Sequence, residues 1–294
     1  MIVLRFPKTI CILLLILLLI GCSAPQQPVQ VAATTGPVAQ FANAITEGTG
    51  ITVAQVINDS ISCLHDYSLS VRQMEVLTGS RIVLISGAGL EESMEDVLES
   101  AEAVTDCSVG VPMLEMNGHA HEEHDHEHHH EHDPHIWLSP ANAAIMAENI
   151  CAALTAEYPE HEAVFQANTE ILTAKLQELQ AYGEQQLADL SCRELVTFHD
   201  GFAYFAHAFG LEIAAAIEEE SGSEASAADL IEIIGIMEHH GVPAVFTEIN
   251  GSASAAAILE AEIGIPSYPL DMAMNTDYFT AMKQNIDTLK EALQ

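Results

Sequence analysis

The sequence predicts an α/β protein of two lobes, each a parallel sheet covered by helices, joined by one long rigid helix with a metal site in the cleft between them. Three observations carry that expectation. Strand-like runs alternate with helical ones in two separate blocks, the pattern of parallel sheets with covering helices. An unusually long amphipathic run divides the blocks, and histidines stand where predicted strands give way to loops.

The chain opens with Arg5 and Lys8 before an almost pure Leu/Ile run, Thr9 to Ile20. That run is shorter than the roughly 20 residues a bilayer requires, so residues 1–21 read as a signal peptide. It ends Leu19-Ile20-Gly21-Cys22-Ser23, which resembles the lipobox of bacterial lipoproteins and implies a lipid on Cys22. Residues 22–30, with Pro25 and Pro28, form a tether.

The first lobe is expected over residues 31–158. Val29 to Ala33 is a short apolar run, and Val38 to Ile45 is helical up to Gly48 and Gly50. Ile51 to Ile57 is β-branched and strand-like. Asn58 to Ser70 is a loop holding His65, and Ser70 caps a helix that Gly79 stops. Arg81 to Gly87 is apolar throughout, as a strand buried on both faces is. A helix from Ser93 to Ala101 leads to a strand near Ser108 to Val111, and a further helix runs from Pro140 to Glu157. Residues 159–190 carry the dividing run. Phe165, Leu172, Leu176, Leu179, Gly183, Leu187 and Leu190 fall at helical spacing along one stripe. The second lobe, residues 191–294, restarts the alternation: a strand from Leu195 ending at His199, a helix over Phe202 to Phe209, and a strand over Glu212 to Ile217. A polar loop at Ser221 to Ser226 and a helix over Ala227 to His240 follow. Then come a strand over Ala244 to Thr247, a helix over Ala253 to Ile263, a strand Ser267 to Leu270 ending at Asp271, and a helix from Tyr278 to Leu293.

Composition narrows the function classes. The chain has 294 residues, 49% of them hydrophobic, and 43 acidic against 8 basic side chains for a formal net charge of −35. Nucleic acid is excluded as a partner, because phosphate binding needs Lys and Arg to release counterions. Acid at this density is a solvated surface that also attracts cations. Of the cysteines of the exported portion, Cys63, Cys107, Cys151 and Cys192 would supply one or two disulfides, the pairing left open.

The segment 118–132 contains His119, His121, His124, His126, His128, His129, His130 and His132 and almost no apolar side chain. It cannot bury a core, so it is expected as a loop that collects metal as an auxiliary to the main site. In parallel α/β sheets ligands bind beyond the carboxyl ends of strands. His65, His199 and Asp271 each follow a predicted strand, and His135 stands where the loop re-enters folded chain. Three imidazoles and a carboxylate suit tetrahedral Zn²⁺, whereas Mn²⁺ favours more oxygen. Glu248, after another strand, is the other candidate for the fourth position. Asp66 and Asp200 follow candidate ligands and are expected to cap the next helix rather than orient a ring. His161, His207, His239 and His240 are expected at surface or helix-end positions.

Two stretches carry a family resemblance. Asp133-Pro134-His135-Ile136-Trp137-Leu138-Ser139-Pro140 resembles an Asp-Pro-His-x-Trp-Leu-x-Pro signature, and Phe198-His199-Asp200-Gly201-Phe202-Ala203-Tyr204-Phe205 resembles a Phe-His-Asp-x-Phe-x-Tyr-Phe signature. Both belong to the zinc-binding lipoproteins of ABC transporters, the high-affinity zinc-uptake type of metal substrate-binding protein, and the likeness runs from Cys22 to the C-terminus. It implies His65, His135 and His199 as ligands, Asp271 at the carboxylate position, two lobes on one rigid helix, and zinc rather than manganese because His199 stands where manganese members carry Glu. The function expected is capture of extracytoplasmic Zn²⁺ as cargo, by a membrane-anchored monomer, for delivery to an ABC permease. The alternatives are a manganese-binding homologue, a zinc hydrolase, for which no His-Glu-x-x-His helix is present, and a surface adhesin.

Overall fold

The computed structural model describes residues 29–58, 67–114, 132–218, 227–249, 257, 260–261 and 264–294. The signal peptide with Cys22, His65 with Cys63 and Asp66, the loop histidines from His119 to His130, and most of the helix expected over Ala253 to Ile263 lie outside them.

The first lobe runs β1 (Val31–Ala33), α1 (Gly36–Thr46), β2 (Val53–Gln55), α2 (Val71–Gly79), β3 (Ile82–Ile85), α3 (Glu95–Leu98) and β4 (Val104–Asp106), then α4 (Pro140–Glu157). Its four strands are all parallel, in the order β2-β1-β3-β4. The second lobe runs β5 (Glu194–His199), α6 (Ala203–Phe209), β6 (Glu212–Glu218), α7 (Ala227–His240), β7 (Val245–Glu248), β8 (Ser267–Leu270) and α8 (Tyr278–Leu293). It is parallel too, in the order β6-β5-β7-β8. Each lobe is therefore wound the same way, although the two sequences show no repeat. In each, strand order reverses between the first and third strands, and that crevice is where such sheets bind ligands.

Local chemistry explains the boundaries. Ser70 forms the expected capping box with Gln73 at the start of α2. Ser139 caps α4 ahead of Pro140. Asp277 accepts the Thr280 amide at the start of α8. Two expectations slipped. The fourth strand is Val104–Asp106, not Ser108 to Val111. The helix before it is a turn of 3₁₀ followed by the four residues of α3. The strand is a short edge strand whose residues are exposed or half-buried, so it lacks an apolar pattern of its own. Pairing with β3, Val83 against Val104, sets where it lies.

The dividing run forms α5, Glu162–Gln186, after a 3₁₀ turn at Pro159–His161. At about 1.5 Å per residue its 25 residues make about 38 Å of helix. It is no bare rod. It packs on α1 and α4 of the first lobe and on α6 and α8 of the second, burying Phe165, Leu172, Leu176, Leu179 and Gly183. One hydrophobic core consequently runs from Val31 and Phe41 through α5 to Phe246, Tyr278 and Leu293. A smaller core of Val196, Phe198, Ile217, Ile233 and Met237 lies beneath α7. The expected disulfides are not formed among the described residues: Cys107, Cys151 and Cys192 are free. A core of this size needs no covalent staple.

A polar seam joins the lobes beside α5. The Trp137 indole, itself fully buried, donates to the Met272 carbonyl at 2.8 Å. The Tyr278 hydroxyl donates to the Trp137 carbonyl at 2.7 Å. Gln40 donates to the Thr276 carbonyl at 3.0 Å and accepts the Tyr278 amide at 2.8 Å. Gly36 lies so close to Met274 that a Cβ there would sit 1.6 Å from the Met274 oxygen. The segment Met272–Tyr278 is thus strapped to the first lobe.

Candidate metal site

His199 is the last residue of β5 and Glu248 the last of β7. These two strands are neighbours, and their carboxyl ends form the crevice where the strand order of the second lobe reverses. His135 arrives from the first lobe, in the turn before the Ile136–Leu138 3₁₀ helix. Both imidazoles are nearly inaccessible, at 1% and 2%.

Their Nε2 atoms stand 3.4 Å apart, with the ring planes at 90°. Two nitrogens bound tetrahedrally to one zinc ion at about 2.0–2.1 Å would be about 3.3–3.4 Å apart, so this separation is already that of a zinc ligand pair. Glu248 Oε1 lies 3.9 Å from His199 Nε2. Two atoms bound to one ion at about 2.1 Å can be at most about 4.2 Å apart, which brings Glu248 within reach at a wide angle. Asp271 sits one residue beyond β8. Its Oδ1 accepts the Ala273 amide at 2.8 Å, and its backbone is clasped by Asn285. It forms no hydrogen bond or ion pair with either imidazole. Among the described residues no three His, Cys, Asp or Glu side chains gather into a complete centre, and His65 lies outside them.

The ring of His135 is oriented by a residue that sequence reasoning passed over. Asp133 Oδ1 accepts both the His135 amide at 2.8 Å and His135 Nδ1 at 2.7 Å, and Asp133 is 1% exposed. With Nδ1–H donated to the carboxylate, the Nε2 lone pair faces His199, the arrangement that fixes a metal-binding imidazole. The available signal was Asp-Pro-His, since an Asp side chain folds readily onto the amide two residues on. Asp200 does not take the capping role expected of it. Phe202 holds the cap position of α6, and no side chain caps it. Gly201 gives the second ring its space: a Cβ there would lie 2.6 Å from His199 Cδ2 and 2.8 Å from Nε2. His207, His239 and His240 are apart from the site. His240 pairs with Glu194 at 2.9 Å near the surface. His132, last of the loop run, is half-buried at the loop's return.

A second buried carboxylate occupies the matching crevice of the first lobe. Glu91 accepts from the Thr34 hydroxyl at 2.5 Å and from the amides of Ser86 and Gly87 at 2.7 and 3.0 Å. Burial outweighs these donors and pushes its carboxyl up to about 7. Burial likewise raises the Cys107 thiol, and the Glu91 and Asp106 carboxylates add to the shift.

Two buried imidazoles brought together from two parallel-sheet lobes, over a packed connecting helix, define a bilobed α/β protein of the substrate-binding class. The family model described as zinc-uptake complex component A, periplasmic, matches residues 31–292, and the chain belongs to that family. A Treponema pallidum protein named for metal binding is 28% identical over 274 residues, 87% of this chain and 86% of its own length. The zinc-binding protein AdcA of Streptococcus pyogenes is 29% identical over 76% of this chain, which spans only 42% of the AdcA length. A crystal structure of ZnuA superposes with a TM-score of 0.79 at 26% identity, covering 91% of this chain and all of that one.

Proposed function

We propose that the chain captures Zn²⁺ outside the cytoplasm and hands it to the permease of an ABC transporter, with His65, His135, His199 and Asp271 as the ligands. The metal is cargo, held and released without chemical change. The observation that carries this reading is the 3.4 Å separation of two buried Nε2 atoms donated by different lobes. Family membership, and relatives named for zinc binding and zinc uptake, support zinc as the ion. For the fourth ligand a second reading is supported by geometry: Glu248, not Asp271, has an oxygen within 3.9 Å of a ligand nitrogen. Cys22 carries the lipid anchor, the protein acts as a monomer, and the histidines from His119 to His132 gather metal when it is scarce.

Elemental analysis of the purified protein, with zinc and manganese in competition, tests the ion. Chelator competition tests the ligands. His135→Ala and His199→Ala are each expected to weaken zinc binding by about 100-fold or more, while His207→Ala leaves it unchanged. Tight binding that survives either of the first two substitutions sinks the assignment. Asn at 271 and Gln at 248, made separately, identify the fourth ligand by which loses affinity.

A further inference from the structure

The two ends of the histidine-rich insert are built into the metal site, and a tyrosine of the opposite lobe holds them there. The Asp133 amide donates to the Leu114 carbonyl at 3.1 Å, closing the insert's stem. The Leu114 amide donates to the Tyr204 hydroxyl at 2.9 Å. Asp133 in turn accepts the ring and amide of His135. A continuous path therefore leads from Tyr204 through Leu114 and Asp133 to the Nδ1 of His135. Tyr204 belongs to α6, which directly follows His199, while Leu114 and Asp133 belong to the first lobe. The tyrosine is 2% exposed, and among the charges acting on its hydroxyl is the Asp133 carboxylate. Among the described residues Asp133 Oδ2 is buried without a hydrogen-bond partner, so there the carboxylate is held through Oδ1 and through its own backbone. Anything that loosens the stem loosens the group that aims His135.

We propose that Tyr204 is a positioning residue for zinc binding: by pinning Leu114 across the lobe boundary it fixes the stem, and through Asp133 the direction of the His135 lone pair. The proposal rests on His135 being a zinc ligand. Its consequence is that the orientation of the first-lobe ligand depends on the placement of the second lobe, so the two halves of the site are set together. The insert's anchoring also becomes a determinant of affinity at the main site.

The test is Tyr204→Phe in the full chain, which keeps the ring and removes the oxygen. Tyr182→Phe serves as the control, because that hydroxyl bonds Asp287 at the surface, at 2.5 Å. Zinc affinity is read by competition with a chromogenic chelator, and melting temperature with and without zinc. Tyr204→Phe removes the Leu114 hydrogen bond and the weaker donation to Met113 Sδ at 3.7 Å, and is expected to weaken zinc by about three- to tenfold, the range of losing the Leu114 bond. The rise in melting temperature on adding zinc should shrink more than the metal-free melting temperature falls. Affinity within twofold of the parent, with both melting temperatures lowered equally, makes the tyrosine a packing residue and overturns the proposal. If Tyr204→Phe does not fold, hydrogen exchange of the parent protein decides. The Leu114 and Asp133 amides should exchange more slowly when zinc is bound, and equal rates overturn the coupling. His135→Ala run alongside separates the failures: if it leaves zinc binding intact, the ligand assignment falls, whereas if it abolishes binding and Tyr204→Phe does nothing, only the positioning role falls.

Discussion

Two buried acids illustrate how placement, not residue type, sets behaviour. Asp133 gives one oxygen to the ring and amide of His135 and so fixes a ring of the proposed site. Glu91 accepts three hydrogen bonds in the first lobe, and burial still raises it from an ordinary 4.5 to about 7. The folded chain therefore keeps a proton on Glu91 that the unfolded chain releases. Stability from this group is full below about pH 4.5 and is lost as pH rises through about 7. The loss is on the order of 3 kcal/mol. Urea unfolding at pH 5 and pH 8 is expected to show this fall in the parent and a flatter profile in Glu91→Gln. An equal slope in both would show that the carboxyl is not the titrating group. At the same scale, the glycine of the Phe-His-Asp-Gly-Phe run is explained by the His199 ring against which it lies.

Among elements, long amphipathic ones were readable and short edge ones were not. The stripe on α5 appears in the sequence because every third or fourth side chain faces the core, and Phe165, Leu172, Leu176 and Leu179 are all buried. Leu187 is buried too but lies past the helix end, as its cap. The strand β4 has no such stripe, and its position follows from the partner it pairs with. The seam was equally invisible, since nothing in the run Met272–Tyr278 announces that Gln40, Trp137 and Gly36 will press against it. Gly36→Ala tests that seam. Its Cβ would collide with the Met274 carbonyl, and backbone cannot yield as a side-chain tip does. The expected cost is about 1–3 kcal/mol, read as a lower urea midpoint, together with weaker zinc binding as Met272 and the following residues shift. A midpoint and affinity like those of the parent would mean the seam is soft.

For the molecule as a whole, the shared core matters most. Because α5 belongs to both lobes and one hydrophobic cluster crosses the boundary, the lobes are expected to unfold together. Calorimetry should show a single transition, raised by zinc. With free zinc a thousandfold above Kd the gain is about 4 kcal/mol. Two separated transitions, only one of them zinc-dependent, would contradict a common core. The same construction limits the relative movement of the lobes, so the proposed site is expected to work by small adjustments of two rings whose Nε2 atoms already stand 3.4 Å apart.

The chain by itself determined the α/β class, the two blocks, the long connecting helix, and the place of His199 at the end of its strand. Periodicity and turn residues are local, and these features are written locally. Tertiary structure alone decided that both sheets are wound alike, that His135 of one lobe meets His199 of the other, that Glu248 comes nearer than Asp271 to His199 Nε2, and that Cys107, Cys151 and Cys192 stay free. Each of these depends on distances between residues dozens of positions apart. Such distances are set by packing and strand register, not by any neighbour in sequence.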